Sequence, residues 1–226
     1  MGELLAEDTL STLESRILHE QGKRLAENKL GHYRPYPKQA DFHAAGAEHR
    51  ERLFMAGNRV GKTMCGAAEM AIHLTGKYPA WWKGRRFNKP IRAWAAGVTN
   101  QSTRDVVQEK LLGPPLREWE RGTGMIPKSD IENAVKAQGI SGLIDTVNVK
   151  HVGGSHSWLQ FKSYEQGREK WQGAGLEVIW LDEECSPDLY FEALTRTNET
   201  GGIVYLTFTP TSGMTEVVRR FLQPES

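Results

Sequence analysis

Cysteine is scarce: Cys65 and Cys185 are the only two in 226 residues, too few for a disulfide framework and without the Cys/His spacing of a zinc site. A fold held by hydrophobic burial in a reducing compartment is expected. Long apolar runs are missing, since none approaches the ~18 to 20 residues of a membrane span. The start, Met1-Gly2-Glu3-Leu4-Leu5-Ala6-Glu7-Asp8, is acidic where a secretory leader is basic. Ala6 also stands where a myristoylation signal needs Ser or Thr. Excess charge is absent, because 29 Lys plus Arg against 28 Asp plus Glu leave only +1. A polyanion would have to be gathered by a local patch, not by a whole-protein field. Internal repeats and low-complexity tracts are also lacking.

What is present is ordinary globular composition, 38% apolar and 25% charged, which excludes disordered and fibrous classes and suits one sizeable domain. Leu4, Leu5, Leu10, Leu13, Ile17, Leu18 and Leu25 recur at helical spacing, so residues 3–30 are expected to form a polar amphipathic helix, an extension ahead of residues 31–226. Pro35 and Pro37 cannot continue it. Beyond them, strand patterns at 52–56, 91–98, 157–162, 178–181 and 203–208 alternate with helical patterns at 62–75, 100–112, 129–138 and 187–196. Asn100 and Ser129 serve as expected caps. Residues 139–156, rich in Gly, read as a hairpin or loop excursion. This alternation predicts a three-layer α/β domain around a mostly parallel sheet.

Residues 56–63, Ala-Gly-Asn-Arg-Val-Gly-Lys-Thr, fall between a strand pattern and a helix pattern. This is a Walker A loop with Ala56 in the usual first Gly position and Gly57 one place later. Such a loop turns backbone amides toward an anion, and the following helix adds its positive dipole end. Lys62 is expected to reach the β- and γ-phosphates of ATP, and Thr63 to ligate Mg²⁺. The strand 178–181 runs into Asp182-Glu183-Glu184. Asp182 is the expected second Mg²⁺ ligand and Glu183 the group that orients or deprotonates a water, which favours hydrolysis over phosphotransfer. Glu184 reads as a capping or solvated acid.

Four motifs in this order resemble the ATPase domain of the large terminase subunit: Tyr36-Pro37-Lys38-Gln39, Gly57-Asn58-Arg59-Val60-Gly61-Lys62-Thr63, Leu181-Asp182-Glu183, and Leu206-Thr207-Phe208-Thr209-Pro210 before Thr211-Ser212-Gly213. Trp171-Gln172-Gly173 stands ahead of the acidic strand, and the resemblance extends over about residues 30–222. It implies a P-loop NTPase of the RecA-like, ASCE type. It further implies that Gln39 recognises adenine and that Gly57, Asn58, Arg59, Val60 and Gly61 wrap the phosphates. Arg59 would meet the γ-phosphate, Thr207 and Thr209 would act as a hydrolysis sensor, and Arg168 would be an arginine supplied in trans. The implied activity is ATP hydrolysis driving double-stranded DNA into a procapsid, by a ring of copies seated on the capsid portal with a small terminase subunit, in the host cytoplasm. The family's nuclease domain is not expected within these residues, nor DNA cleavage from them.

Residues 76–92 add Lys77, Lys83, Arg85, Arg86, Lys89 and Arg92 with no acid among them, interleaved with Trp81, Trp82 and Phe87. They could meet duplex phosphates, serve as a subunit interface, or simply pack as a connection. A superfamily-2-type helicase core shares the Walker motifs and the Gln motif, and a nucleotide-dependent switch would need neither DNA nor turnover. Glu183 favours an enzyme over the switch. A helicase would require a second RecA-like domain.

Overall fold

The computed structural model describes residues 2–173, 175–210 and 213–222, with side chains from Leu13 onward. It opens with α1 (Gly2–Ala26), which bears out the expected N-terminal helix. A short turn of helix, α2 (Lys29–His32), follows. Pro37 then begins α3 (Pro37–Ala45), where its missing amide costs nothing and its fixed φ suits a first turn. The remainder is a seven-stranded sheet in the order β1-β7-β6-β2-β5-β4-β3.

β1 (Glu51–Met55), β7 (Ile203–Phe208), β6 (Val178–Asp182), β2 (Arg92–Gly97) and β5 (His156–Ser163) run parallel. β4 (Ile144–Lys150) and β3 (Ile131–Lys136) extend the β5 side antiparallel. α4 (Lys62–Thr75), with α3, covers one face. α7 (Pro187–Asn198) and α8 (Glu216–Leu222) cover the other. The chain reaches β2's far side through α5 (Asn100–Ser102), a π-helical stretch at Thr103–Gln108, and α6 (Glu109–Leu112). This is the expected three-layer α/β fold.

β6 shows why a central strand reads as a continuous apolar run. Val178 and Trp180 enter the core under α4, while Ile179 and Leu181 enter the one under α7. Gly66 lets α4 lie on Trp180: a Cβ there would sit 2.5 Å from the indole ring.

One expected helix is a strand. Residues 129–138 contain β3, an edge strand with irregular register between Ile131 and Asn133 and between Val135 and Lys136. These irregularities break the period-two alternation. Ile131, Ala134 and Val135 therefore fall at spacings of three and four, which imitate a helix. Ser129 caps nothing; it lies in a 3-10 turn and donates to Asp130. At the other expected cap, Thr99 accepts the capping bond and Asn100 is the first helical residue.

Candidate functional site

β1, β7 and β6 lie side by side and all point their carboxyl ends the same way, so three separate sequence motifs meet there. The loop after β1 turns on two left-handed residues, Arg59 with φ 62° and Gly61 with φ 81°. Gly61 takes this conformation without strain and starts α4. Gly57, Asn58, Arg59 and Val60 are exposed around the loop.

Lys62 is 7% exposed. Its ammonium donates to the Gly57 carbonyl at 2.6 Å and to the Thr209 hydroxyl at 2.9 Å. Thr209 in turn donates to Asn58 Oδ1 at 2.9 Å. Thr63, one residue on, lies with its hydroxyl 3.5 Å from Asp182 Oδ2. The other carboxylate oxygen of Asp182 accepts from Thr207 at 2.6 Å, and Thr207 accepts from Trp180 Nε1 at 2.7 Å. Thr207 and Thr209 thus do different work from neighbouring positions: one fixes the acid, the other the loop. Thr211 and Ser212, which continue their motif, lie outside the described residues.

Burial, helped by the Glu183 charge and opposed by the Thr207 and Thr63 hydroxyls and the Lys62 charge, pushes the Asp182 carboxyl up to about 7. A buried carboxylate oxygen facing a hydroxyl is a hard-oxygen pair of the kind that binds Mg²⁺ together with phosphates. Thr63 and Asp182 therefore fit that ion by their donor chemistry.

Glu183 is exposed at the rim and carries φ 69°, a left-handed backbone that a Glu rarely adopts. Its amide continues the ladder by donating to the Thr207 carbonyl at 3.0 Å. The Tyr164 hydroxyl lies 2.9 Å from both the Asp182 and Glu183 carbonyls, pinning this bend. Tyr164 follows β5, and local spacing gave no signal for it; only the packing of β5 and β6 around β2 brings it there. Glu184 is half-buried and accepts from Thr215. It thus ties the strand end toward α8 and is not a helix cap, a place taken by Ser186.

Gln39 is buried beneath the loop, its amide donating to the Gly61 carbonyl at 3.0 Å. Arg168 does not pair with nearby Glu165. It pairs at 3.0 Å with Glu192 of α7, which Arg196 also meets at 3.2 Å. Trp171 is fully buried and packs edge-on against Trp94.

In the basic connection, Trp82 and Phe87 are core residues and Lys77 pairs with Asp130 at 2.6 Å. Arg85 and Arg86 lie over the Phe87 and Tyr78 rings, and Lys83, Arg86, Lys89 and Arg92 are exposed. The aromatics are therefore packing groups. This loop joins the C-terminus of α4 to the start of β2, so it lies at the opposite end of the sheet from the Walker loop.

A parallel α/β sheet with a phosphate loop after its first strand, an acid at a second strand end and a third strand between them defines an ASCE-type P-loop NTPase. The family profile for the large terminase subunit, T4likevirus-type, N-terminal, matches residues 53–226. The chain belongs to that family. It is 40% identical to the large terminase subunit of Salmonella phage P22 over 237 aligned positions, covering 97% of this chain and 47% of that protein. Identity to the large subunit of Enterobacteria phage LP7 is 25%, over 97% of this chain and 49% of that one. The chain thus spans about half the length of these relatives. The large terminase of a thermophilic bacteriophage has a similar fold, with a TM-score of 0.53 at 14% identity over 78% of this chain and 39% of that one. A second structure of that protein, in complex with ADP, also gives 0.53 over 77% and 38%. Among the described residues, no helix is long and apolar enough to cross a membrane.

Proposed function

We propose that this chain is the ATP-hydrolysing unit of a viral DNA-packaging motor. The observation that carries the reading is the meeting of Lys62 and Thr63, after β1, with Asp182, at the end of β6 on the other side of β7, and with Glu183 at the open rim beside them. Loop amides and the Lys62 ammonium would hold the β- and γ-phosphates, while Thr63 and Asp182 would hold Mg²⁺. The bound ion would draw negative charge from the phosphates. Exposed Glu183 would take a proton from water as the water oxygen bonds to the γ-phosphorus and the bond to the β-phosphate oxygen breaks, leaving ADP and phosphate. Arg59, exposed on the loop, would meet the γ-phosphate.

Duplex DNA is the proposed load, held through its phosphates by Lys83, Arg86, Lys89 and Arg92. Contacts of this kind need positive charge and no base-edge code. Partner copies in a ring on the portal, a small terminase subunit and action in the host cytoplasm belong to the same reading. Membership in the terminase family favours it over a helicase core. The test is Lys62→Ala, expected to abolish Mg-ATP binding and phosphate release in a coupled assay. Hydrolysis at the parent rate in that variant would reject the site.

A further inference from the structure

The side-chain amide of Gln39 is engaged at both ends within the protein. Its oxygen accepts from the Tyr36 amide at 2.9 Å and from the Tyr33 hydroxyl at 3.4 Å. Its nitrogen donates to Gly61, whose missing Cβ would otherwise lie 2.9 Å from that nitrogen. Because the Tyr36 N–H can only donate and the Gly61 carbonyl can only accept, a flipped amide would set an NH₂ against the Tyr36 N–H and an oxygen against the Gly61 carbonyl. The orientation is therefore fixed by the surroundings.

Those surroundings form a buried chain. The Tyr33 hydroxyl lies 3.1 Å from His43 Nε2, and His43 Nδ1 donates to Glu69 at 2.7 Å. Arg52 makes a two-pronged pair with Glu69, and His73 approaches the same carboxylate at 3.5 Å. Glu69 and His73 are fully buried, and His43 and Arg52 nearly so. Arg52 Nε and His73 Nε2 are left without hydrogen-bond partners, and ions removed from water in this way add little to stability over apolar replacements, whereas the hydrogen bonds that are made cross-link and rigidify the elements that carry them. The rigidified parts here are α3, β1 and α4, the three elements that frame the phosphate loop.

We propose that Gln39 is a positioning residue that clamps the Gly61 carbonyl, with the Tyr36 amide setting its orientation and Tyr33 packing against its oxygen, so that its contribution to nucleotide affinity is independent of the base. The proposal rests on the reading of the loop as a nucleotide phosphate site. It differs from adenine recognition in a measurable way: a clamp acts on the polyphosphate alone.

The experiment compares calorimetric binding of Mg-ATP, Mg-GTP and base-free Mg-tripolyphosphate to the 226-residue chain and its variants. Gln39→Ala should weaken all three by the same factor, about 3- to 10-fold, the effect of one hydrogen bond. Tyr33→Phe, which keeps the ring, should weaken all three in the same direction by less and serves if Gln39→Ala does not fold. Loss of ATP binding by either variant with GTP and tripolyphosphate unchanged would overturn the clamp in favour of a base contact. Unchanged binding of all three would overturn it too. Lys62→Ala separates the two readings: tripolyphosphate binding that survives it rejects the phosphate site itself, while loss there but not in Gln39→Ala rejects only the clamp.

Discussion

Glu183 holds a backbone conformation that costs a non-glycine residue about 1 to 2 kcal/mol, which the Thr207 ladder bond and the Tyr164 hydroxyl sustain. Two substitutions separate strain from chemistry. Glu183→Gln should leave ATP binding nearly intact and slow hydrolysis by about 10² to 10⁴, the usual contribution of a positioned base; a parent turnover rate would make the acid structural. Glu183→Gly should be equally inactive yet raise the melting temperature, because glycine adopts the left-handed bend freely. Asp182 gives a second opposition. Its folded value of about 7 exceeds the ordinary carboxylate value, so its ionisation opposes folding. The penalty is absent below about pH 4, grows as pH rises and is complete above 7. Asp182→Asn should therefore raise the melting temperature at pH 8 in chelator, leave it unchanged near pH 4, and lose turnover. Glu69 has the opposite sign: burial pushes it up, but Arg52, His43 and His73 outweigh that and hold it well below the usual range. Its stabilisation is present at neutral pH and lost on acidification. At this scale the sequence made Lys62, Thr63, Asp182 and Glu183 legible, since each motif is a short local run. Tyr164 and the Arg168–Glu192 pair were not legible, because their partners lie 18 or 19 and 24 residues away and meet only through packing.

Among elements, those with both faces buried were the easiest to read. α4 spans the residues expected of it, and β6 and β7 agree within a residue. β3 was not legible, because its irregular register gave its apolar residues helical spacing. The connection after α4 shows a mixture: its aromatics belong to the core, and its charges remain available. Trp82→Ala should consequently destabilise the domain by about 3 to 5 kcal/mol, measured by urea unfolding, without a specific effect on DNA. Arg86→Glu combined with Lys89→Glu should leave the melting temperature unchanged, weaken duplex binding uniformly across sequences, and flatten its salt dependence. A double variant that binds DNA like the parent would move the load to another surface.

The whole molecule places its phosphate loop on one side of β7 and its acid on the other, so any displacement of β7 alters both. The proposed ring would complete each site with an arginine supplied by a neighbour, a contribution worth about 10³ to 10⁵ in rate in P-loop enzymes that use one. Specific activity should therefore rise with protein concentration. In mixtures, Lys62→Ala chains should stimulate active ones through Arg168, and Arg168→Ala chains should fail to be stimulatory partners. For Arg168 to reach a neighbour it must leave Glu192, so Glu192→Gln should strengthen the stimulation. Flat specific activity from a proven monomer would leave Arg59 as the arginine of the site.

β1 sits at the sheet's edge, paired with β7 alone, and most of its residues are only half-buried where those of β6 and β7 are fully buried. In deuterated water its amides should therefore exchange earliest among the three strands, on the timescale of local opening instead of global unfolding. The strand that delivers the phosphate loop would then be the one that breathes, and a bound polyphosphate should register as slowed deuterium uptake across residues 51–55.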